Sequence, residues 1–190
     1  TFRADGRLIS LYSHLIEREA IVGEGGNQFV LYDDDPVNWE AWDVDVFHQE
    51  KKRAPLAATS VELIETGKLR AALRFTYATA RSRITQTVSL TSTGQILEFG
   101  HEVDWHEARK MLRLEFPVDV RAESATYEMQ HGIVKRPTHY NTPYDLARFE
   151  VPAHRWADLS EPGFGVALLN DCKYGYRIHE NVIALSLLRS

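Results

Sequence analysis

Hydrophobic and polar residues alternate with a period of two along most of this chain. The segment Lys68–Tyr77 illustrates it, because apolar side chains take every second position and Lys, Arg or Thr take most of the positions between them. The same alternation returns in Ile84–Leu90, Leu97–Trp105 and Met111–Val120. Successive side chains of a β-strand point to opposite faces, so this pattern predicts strands with one buried and one wet face.

The connections between these strands are too short for helices. A strand at Ser60–Glu65 is followed by Thr66 and Gly67, which predict a two-residue hairpin turn. Strands in this order pair as an antiparallel meander, and a second sheet has to cover one of its faces. Gly165–Leu169 and Val182–Leu188 are rich in Val, Leu and Ile, which predicts central strands of that second layer. We therefore predict an all-β fold, an antiparallel β-sandwich.

Two segments depart from the alternation. Glu40–Phe47 fits either a short helical turn or a strand, since Val44 and Val46 alternate with polar residues. Residues 135–147 are polar, aromatic and bracketed by prolines, which predicts a long loop with a functional or packing role. No linker, internal repeat or low-complexity stretch is visible, so we predict a single domain over residues 1–190.

Composition narrows the class of protein. The 190 residues are 44% hydrophobic and 26% charged, with a formal net charge of −5, which is the balance of a globular domain rather than of collagen or a disordered tail. The sequence has no apolar run that could cross a membrane and no basic cluster for nucleic acid, so we expect neither a membrane nor nucleic acid as a partner.

Cys172 is the one cysteine and no signal peptide is visible, which favours a cytoplasmic location. The chain begins with Thr1 rather than Met, so we expect a piece of a longer protein.

Local catalytic patterns are weak. The sequence has no HExxH or GxSxG motif, and its eight histidines form no tight cluster that would predict a zinc site. Lys173 could lower the thiol pKa of Cys172, but a lone cysteine after an apolar strand is more typical of a buried, inert thiol. Asp43 and Asp45 would share one side of a strand, as paired carboxylates require, whereas Asp33–Asp35 is more typical of a solvated acidic loop.

Aromatic residues beside acids give the richest chemical signal. Trp39 and Trp42 are three positions apart, and Asp43 follows directly. A sugar presents flat apolar faces, which rings can cover, and hydroxyl groups, which carboxylates can bind. The pattern indicates a carbohydrate contact. Packing of the two tryptophans in the core or at a domain interface is the alternative.

Several longer stretches resemble one known family. They are Gly26–Pro36 with Trp39–Asp45, Arg136–Thr142 with Ala147–Glu161, and Gly165–Tyr176 with Leu185–Ser190. Together they are similar to the C-terminal β region of family 38 α-mannosidases, in the cytosolic-type branch. The similarity runs from about Asp5 to the last residue.

The resemblance implies a large modular enzyme that hydrolyses terminal α-D-mannosyl residues of oligosaccharides and retains the anomeric configuration. Its N-terminal catalytic domain carries a nucleophilic aspartate and zinc, or another divalent metal, and its β domain is a supersandwich of the galactose mutarotase type. The His-x-His-x-Asp motif of the family's zinc site is absent from this sequence. We therefore expect no catalytic residue and no metal in this chain. Its expected partners are a mannose-containing oligosaccharide and the catalytic domain of the same polypeptide, with self-association as a further option.

The resemblance also implies which residues lie at the rim of the active cleft. The expected substrate-binding residues are Trp39, Trp42, Asp43, Asn170, Asp171, Lys173, Tyr174 and Arg189. Glu40 and Tyr144 depart from the family, which usually has Asp and often has Trp at these positions, so sugar affinity could differ here. Arg148, His154 and Trp156 are expected to hold the sandwich together. A stand-alone carbohydrate-binding module and a purely structural domain remain as alternatives.

Overall fold

The computed structural model describes residues 1–39, 42–94 and 96–190, and its regular structure is nearly all antiparallel β. The strands are β1 Tyr12–Ser13, β2 Arg18–Glu19, β3 Gln28–Asp33, β4 Ser60–Thr66, β5 Arg70–Ala78, β6 Arg83–Thr91, β7 Leu97–Asp104, β8 Lys110–Pro117, β9 Ser124–Met129, β10 Gly132–Pro137, β11 Val151–Pro152, β12 Trp156–Glu161, β13 Phe164–Leu169, β14 Gly175–His179 and β15 Val182–Arg189. The helices in these ranges are a 3-10 helix, Val46–Lys51, and α1, Pro143–Leu146. The all-β prediction is confirmed.

The described residues group into two compact units. The larger unit contains residues 1, 8–55 and 109–190, and the smaller contains residues 2–7 and 56–108. The single domain over residues 1–190 stays a prediction.

The larger unit holds two main antiparallel sheets. One has the strand order β11-β14-β15-β8-β3 and the other the order β10-β9-β12-β13. Tyr127 of β9 and Tyr176 of β14 are both buried, and their rings meet edge to face with centroids 6.4 Å apart. Since each sheet supplies one ring, the sheets pack face to face as layers of a sandwich.

Apolar side chains fill the space between these layers. Leu114 of the interior strand β8 pairs with Phe29 of β3 on one side and Leu185 of β15 on the other, and all three are buried. Directly paired residues share a face, so the three side chains form one apolar row. Each contributes about 1.5–3 kcal/mol by its burial.

The opposite face of the five-stranded sheet is buried but charged. Arg113 of β8 is fully buried, contacts the Glu150 carboxylate and lies over the ring of Tyr32. Glu115 accepts hydrogen bonds from the Tyr32 hydroxyl and from Lys52 Nζ, the latter at 2.6 Å. Burial by itself would raise the pKa of Glu115, but these two hydrogen bonds lower it below its ordinary value. The buried charges are therefore paired, as a dry environment requires.

The smaller unit contains four strands of the predicted meander, in the order β4-β5-β6-β7. The last predicted strand of the meander, Met111–Val120, is instead β8, which pairs with β3 and β15 in the larger unit. Its first turn is longer than predicted, because β4 ends at Thr66 and β5 begins at Arg70. Leu69 lies in that turn and is exposed. The pairing register of β4 shifts between Leu63 and Glu65, as happens when a bulge accompanies a three-residue turn.

Three other sequence-based assignments need correction. Strand β13 covers the predicted central strand Gly165–Leu169 but lies at the edge of its sheet, so its residues alternate between half-buried and exposed. The predicted loop 135–147 begins as the end of β10 and contains α1, whose first turn is capped by Thr142. Strand β8 stops at Pro117, which cannot donate to a ladder, although the alternation continues beyond it.

Candidate functional site

Both groups of predicted binding residues lie towards one end of the five-stranded sheet. There β3 ends at Asp33, β8 begins at Lys110 and β15 ends at Arg189. The loop 170–174 leads into β14, which runs antiparallel to β15 and begins opposite its last part, since Tyr176 pairs with Leu185. Strands lie about 4.8 Å apart, so the strands β14 and β3 are roughly 14 Å apart.

The first group is a turn that carries two exposed indole rings. Trp39 is 78% exposed and Trp42 is 86% exposed. The Trp42 N–H donates to the Trp39 carbonyl at 2.9 Å, which closes the turn. Trp39 has φ of +60°, a left-handed conformation that costs a bulky residue about 1–2 kcal/mol. Neither ring is buried, so the two tryptophans do not pack in the core of this chain. Packing against another domain of a parent protein stays an alternative to sugar binding.

Arg189 ties this turn to the sheet. Its Nε and Nη2 donate to the two carboxylate oxygens of Asp34, and Nη2 also donates to the backbone carbonyl of Asp43. The Asp34 side chain is 5% exposed and that of Arg189 is 22% exposed. The planar guanidinium fixes the geometry of all three contacts, so it positions the main chain that follows Trp42.

The acidic run Asp33–Asp35 precedes the turn of Trp39 and Trp42 (the tryptophan turn) and is ion-paired. Asp34 is buried and Asp33 is half-buried, so only Asp35 is exposed as the predicted solvated acidic loop requires. Asp33 lies 2.8 Å from Lys110 and from Arg53, and Asp35 lies 3.2 Å from Arg109. Hydrogen bonds from Lys110 and then Arg53 hold the pKa of Asp33 below its usual value. Pairing of β3 with β8 explains these contacts, because it brings the acidic end of one strand to the basic start of the other.

Asp43 and Asp45 do not share the side of a strand. An oxygen of Asp43 accepts from the Val44 N–H at 2.8 Å, and an oxygen of Asp45 accepts from the Val37 N–H at 2.7 Å. Both carboxylates thus stabilise the backbone of the turn. Glu40, where the sequence departs from the family, lies outside the described residues.

The second group is the loop that Asn170 organises. Its Oδ1 accepts hydrogen bonds from the N–H groups of Cys172 and Lys173, at 3.0 and 2.5 Å, and its Nδ2 donates to the Tyr176 hydroxyl. Asp171 and Tyr174 remain exposed, while Lys173 is half-buried. Asn170 therefore uses its polar atoms within the chain, and its neighbours face the solvent.

Cys172 differs from both sequence-based expectations. It is exposed rather than buried. A hydrogen bond with the Asp171 carboxylate is the main reason why the pKa of Cys172 is raised, and it outweighs the opposite effect of Lys173. The protonated thiol is thus favoured, which argues against a nucleophile here.

A groove of about 670 Å³ opens beside this loop. It is lined by the end of β9 (Glu128 and Met129), by the turn to β10 (Gln130, His131 and Gly132), by His154 and Arg155, and by Asp171 and Tyr174. No local motif indicates this groove, because three separate segments form it. His154, expected only to hold the sandwich together, lines its wall.

Among the described residues, no three His, Cys, Asp or Glu side chains are grouped to hold a metal ion. The described residues thus offer no ligand set that fits zinc. Zinc binding stays a prediction for the catalytic domain of a parent enzyme. No helix within the ranges described is both long and apolar enough to cross a membrane.

Comparison with known proteins decides the family. The model of the family 38 glycosyl hydrolase C-terminal domain matches residues 1–190. The chain belongs to this family. The resemblance seen in the sequence is thereby confirmed for the whole of this family 38 domain.

Curated relatives support the assignment. The family 38 domain is 50% identical to human alpha-mannosidase 2C1 over 188 residues, which cover 97% of this chain and 18% of that protein. It is 43% identical to alpha-mannosidase G of Dictyostelium discoideum over 194 residues, with 98% and 18% covered. The chain thus spans less than a fifth of these relatives.

A solved structure shows the same fold. The crystal structure of an alpha-mannosidase from Enterococcus faecalis V583 superposes with a TM-score of 0.81 at 14% sequence identity. The match covers 100% of this chain and 24% of that one.

Proposed function

We propose that residues 1–190 are one C-terminal domain of a retaining α-mannosidase, which hydrolyses terminal α-D-mannosyl residues of oligosaccharides. The names of the relatives support the reaction, and their greater length supports a parent chain with further domains. In this proposal the domain supports the catalytic domain and contributes substrate-binding residues, without cleaving the bond itself.

The tryptophan turn carries this proposal. Exposed indole rings cost free energy in water, and a left-handed Trp39 adds strain, so the turn needs a compensating role. Sugar faces that pack on Trp39 and Trp42 would supply it, and the Asp43 carboxylate would accept hydrogen bonds from hydroxyl groups. Arg189 acts through the turn by holding it in place.

The second loop supplies the other proposed contacts. Asp171, Lys173 and Tyr174 would bind hydroxyl groups and one further sugar face, while Asn170 keeps the loop in shape. Binding the parts of the substrate that do not react orients the scissile bond in the catalytic domain. The proposal places that domain in the same polypeptide, with zinc or another divalent metal, in a cytoplasmic enzyme that can also self-associate.

The test is Trp42→Ala in the intact parent enzyme, with Val37→Ala as the matched control in the same turn. We expect kcat/KM for a mannose-containing oligosaccharide to fall about tenfold, or about 1.4 kcal/mol of transition-state binding, with an unchanged melting temperature. Val37 is 73% exposed and has no ring, so its variant should retain wild-type kcat/KM. A lower melting temperature with unchanged kcat/KM would favour the purely structural alternative instead.

A further inference from the structure

The groove beside Tyr174 has walls that are fixed by backbone hydrogen bonds, unlike a gap between loops. The His154 N–H donates to the Glu128 carbonyl at 3.1 Å, and the Asn170 N–H donates to the Arg155 carbonyl at 2.8 Å. These backbone bonds join the end of β9, the segment before β12 and the loop after β13. The floor of the groove is therefore held by the main chain at the ends of strands of the four-stranded sheet β10-β9-β12-β13.

An ion pair with an exposed guanidinium forms one side. Arg155 Nε donates to one carboxylate oxygen of Glu128 at 2.9 Å, and the Arg155 N–H donates to the other at 2.7 Å. The Glu128 side chain is only 11% exposed, whereas that of Arg155 is 79% exposed. These hydrogen bonds hold the pKa of Glu128 below its usual value. The pair thus remains charged and presents further N–H donors to the groove.

An aromatic ring and a carboxylate form the other side. The Tyr174 ring is 60% exposed and meets His154 edge to face, with centroids 5.8 Å apart. This contact limits the orientations of Tyr174 and leaves much of its ring open. Asp171 lies in the same loop as Tyr174 and also lines the groove, where its carboxylate is a hydrogen-bond acceptor.

This combination fits a neutral polyhydroxyl ligand. The charges of Glu128 and Arg155 offset each other, so the groove offers no net attraction to a strong anion. A metal is disfavoured as well, because the described residues here do not bring three potential ligands together. A ring face beside donors and acceptors on both sides is what a pyranose needs.

We propose that the groove binds a further sugar unit of an oligosaccharide, with Tyr174 under the sugar ring and Asp171 and Arg155 on its hydroxyl groups. This rests on the proposed function and extends it to the His131 turn and to Arg155. The site would therefore favour oligosaccharides over substrates with a single mannose.

The direct test is photolabelling of the intact parent enzyme with an α-linked mannotriose that carries a diazirine. Tryptic peptides 122–135 and 156–173 contain His131 and Asp171 and can be identified by mass spectrometry. We expect label on both, and free mannotriose should compete with it. A galactose-based trisaccharide with the same diazirine gives the background level of labelling. If neither peptide is labelled above that background, the proposal is overturned.

Kinetics give a second, independent readout. Tyr174→Ala should lower the ratio of kcat/KM for mannotriose to kcat/KM for p-nitrophenyl α-mannoside about tenfold, which corresponds to about 1.4 kcal/mol. Tyr12→Ala is the matched control, because Tyr12 is also exposed and also meets a histidine, His14, edge to face at 5.1 Å. An unchanged ratio in Tyr174→Ala, or an equal fall in Tyr12→Ala, would contradict the groove site.

The two proposals fail in different ways. If intact wild-type enzyme does not hydrolyse p-nitrophenyl α-mannoside, the proposed function is wrong whatever the label shows. If hydrolysis is normal and the groove peptides remain unlabelled, the groove proposal and the sugar contacts of the loop 170–174 are lost. The proposed α-mannosidase reaction and the contacts of Trp39 and Trp42 then still stand.

Discussion

The link between Arg189 and Asp34 allows the sharpest structural prediction. Arg189→Lys keeps the positive charge but cannot reach two carboxylate oxygens and the Asp43 carbonyl at once. Asp34→Asn removes the negative charge from a nearly buried position. Both substitutions should loosen the tryptophan turn, since the Asp43 carbonyl lies directly after Trp42.

The magnitude follows from the contacts that are lost. A hydrogen bond to a charged group contributes about 1.5–3 kcal/mol, and a neutral one about 1 kcal/mol. Lysine retains one charge-assisted bond, so Arg189→Lys loses the other and the bond to the carbonyl. Because the Arg189 side chain is 22% exposed and water offsets part of the loss, we expect each single substitution to cost about 2 kcal/mol.

A double-mutant cycle in urea unfolding measures this coupling. Arg189→Lys, Asp34→Asn and the double variant should give a coupling free energy of about 1.5 kcal/mol. Leu146→Ala is a useful control at a distant exposed site, where we expect less than about 0.5 kcal/mol. Additive effects within about 0.3–0.5 kcal/mol would refute the view that the two side chains act as one unit.

Two further predictions concern a buried histidine and the second loop. Burial lowers the pKa of His48 to about 4 from 6.5, so its contribution is full above pH 6.5 and is lost as the pH falls towards 4. The expected loss of unfolding free energy is about 2 kcal/mol at pH 5; urea unfolding at two pH values measures it, and an equal pH dependence in His48→Gln would contradict it. Asn170→Ala should cost about 2–3 kcal/mol in the same assay, because the Cys172 and Lys173 amides lose their acceptor. Asn170→Asp keeps that acceptor and should cost less, and equal losses in the two variants would argue against the hydrogen bonds.

The alternation of apolar and polar residues predicted the strands well because it follows from a physical requirement. A strand with one buried face needs an apolar residue at every second position, and β5, β6 and β7 satisfy this. Strand β8 shows the same alternation, but its second face is buried among paired charges rather than wet as predicted. The edge position of β13 was not predictable, since a run of apolar residues such as Gly165–Leu169 occurs in both central and edge strands. The three-residue turn after Thr66 was not predicted, because Gly67 fits turns of either length.

The candidate site was only partly predictable for a different reason. The two tryptophans are three positions apart and form a local motif, but Arg189 and Asp34 are 155 positions apart. Only the pairing of β3, β8 and β15 brings them together. The groove depends in the same way on three segments, so no local motif could have indicated Arg155 or His131 as its lining.

The central claim is that this domain binds and supports but does not cleave. The most direct measurement is the release of p-nitrophenol from p-nitrophenyl α-mannoside by the purified 190-residue chain, compared with the intact parent enzyme. With a β-rich circular dichroism spectrum as evidence of folding, we predict no release above the buffer rate from the chain and turnover by the intact enzyme. Turnover by the isolated chain would place a hydrolytic centre within these strands and contradict the account.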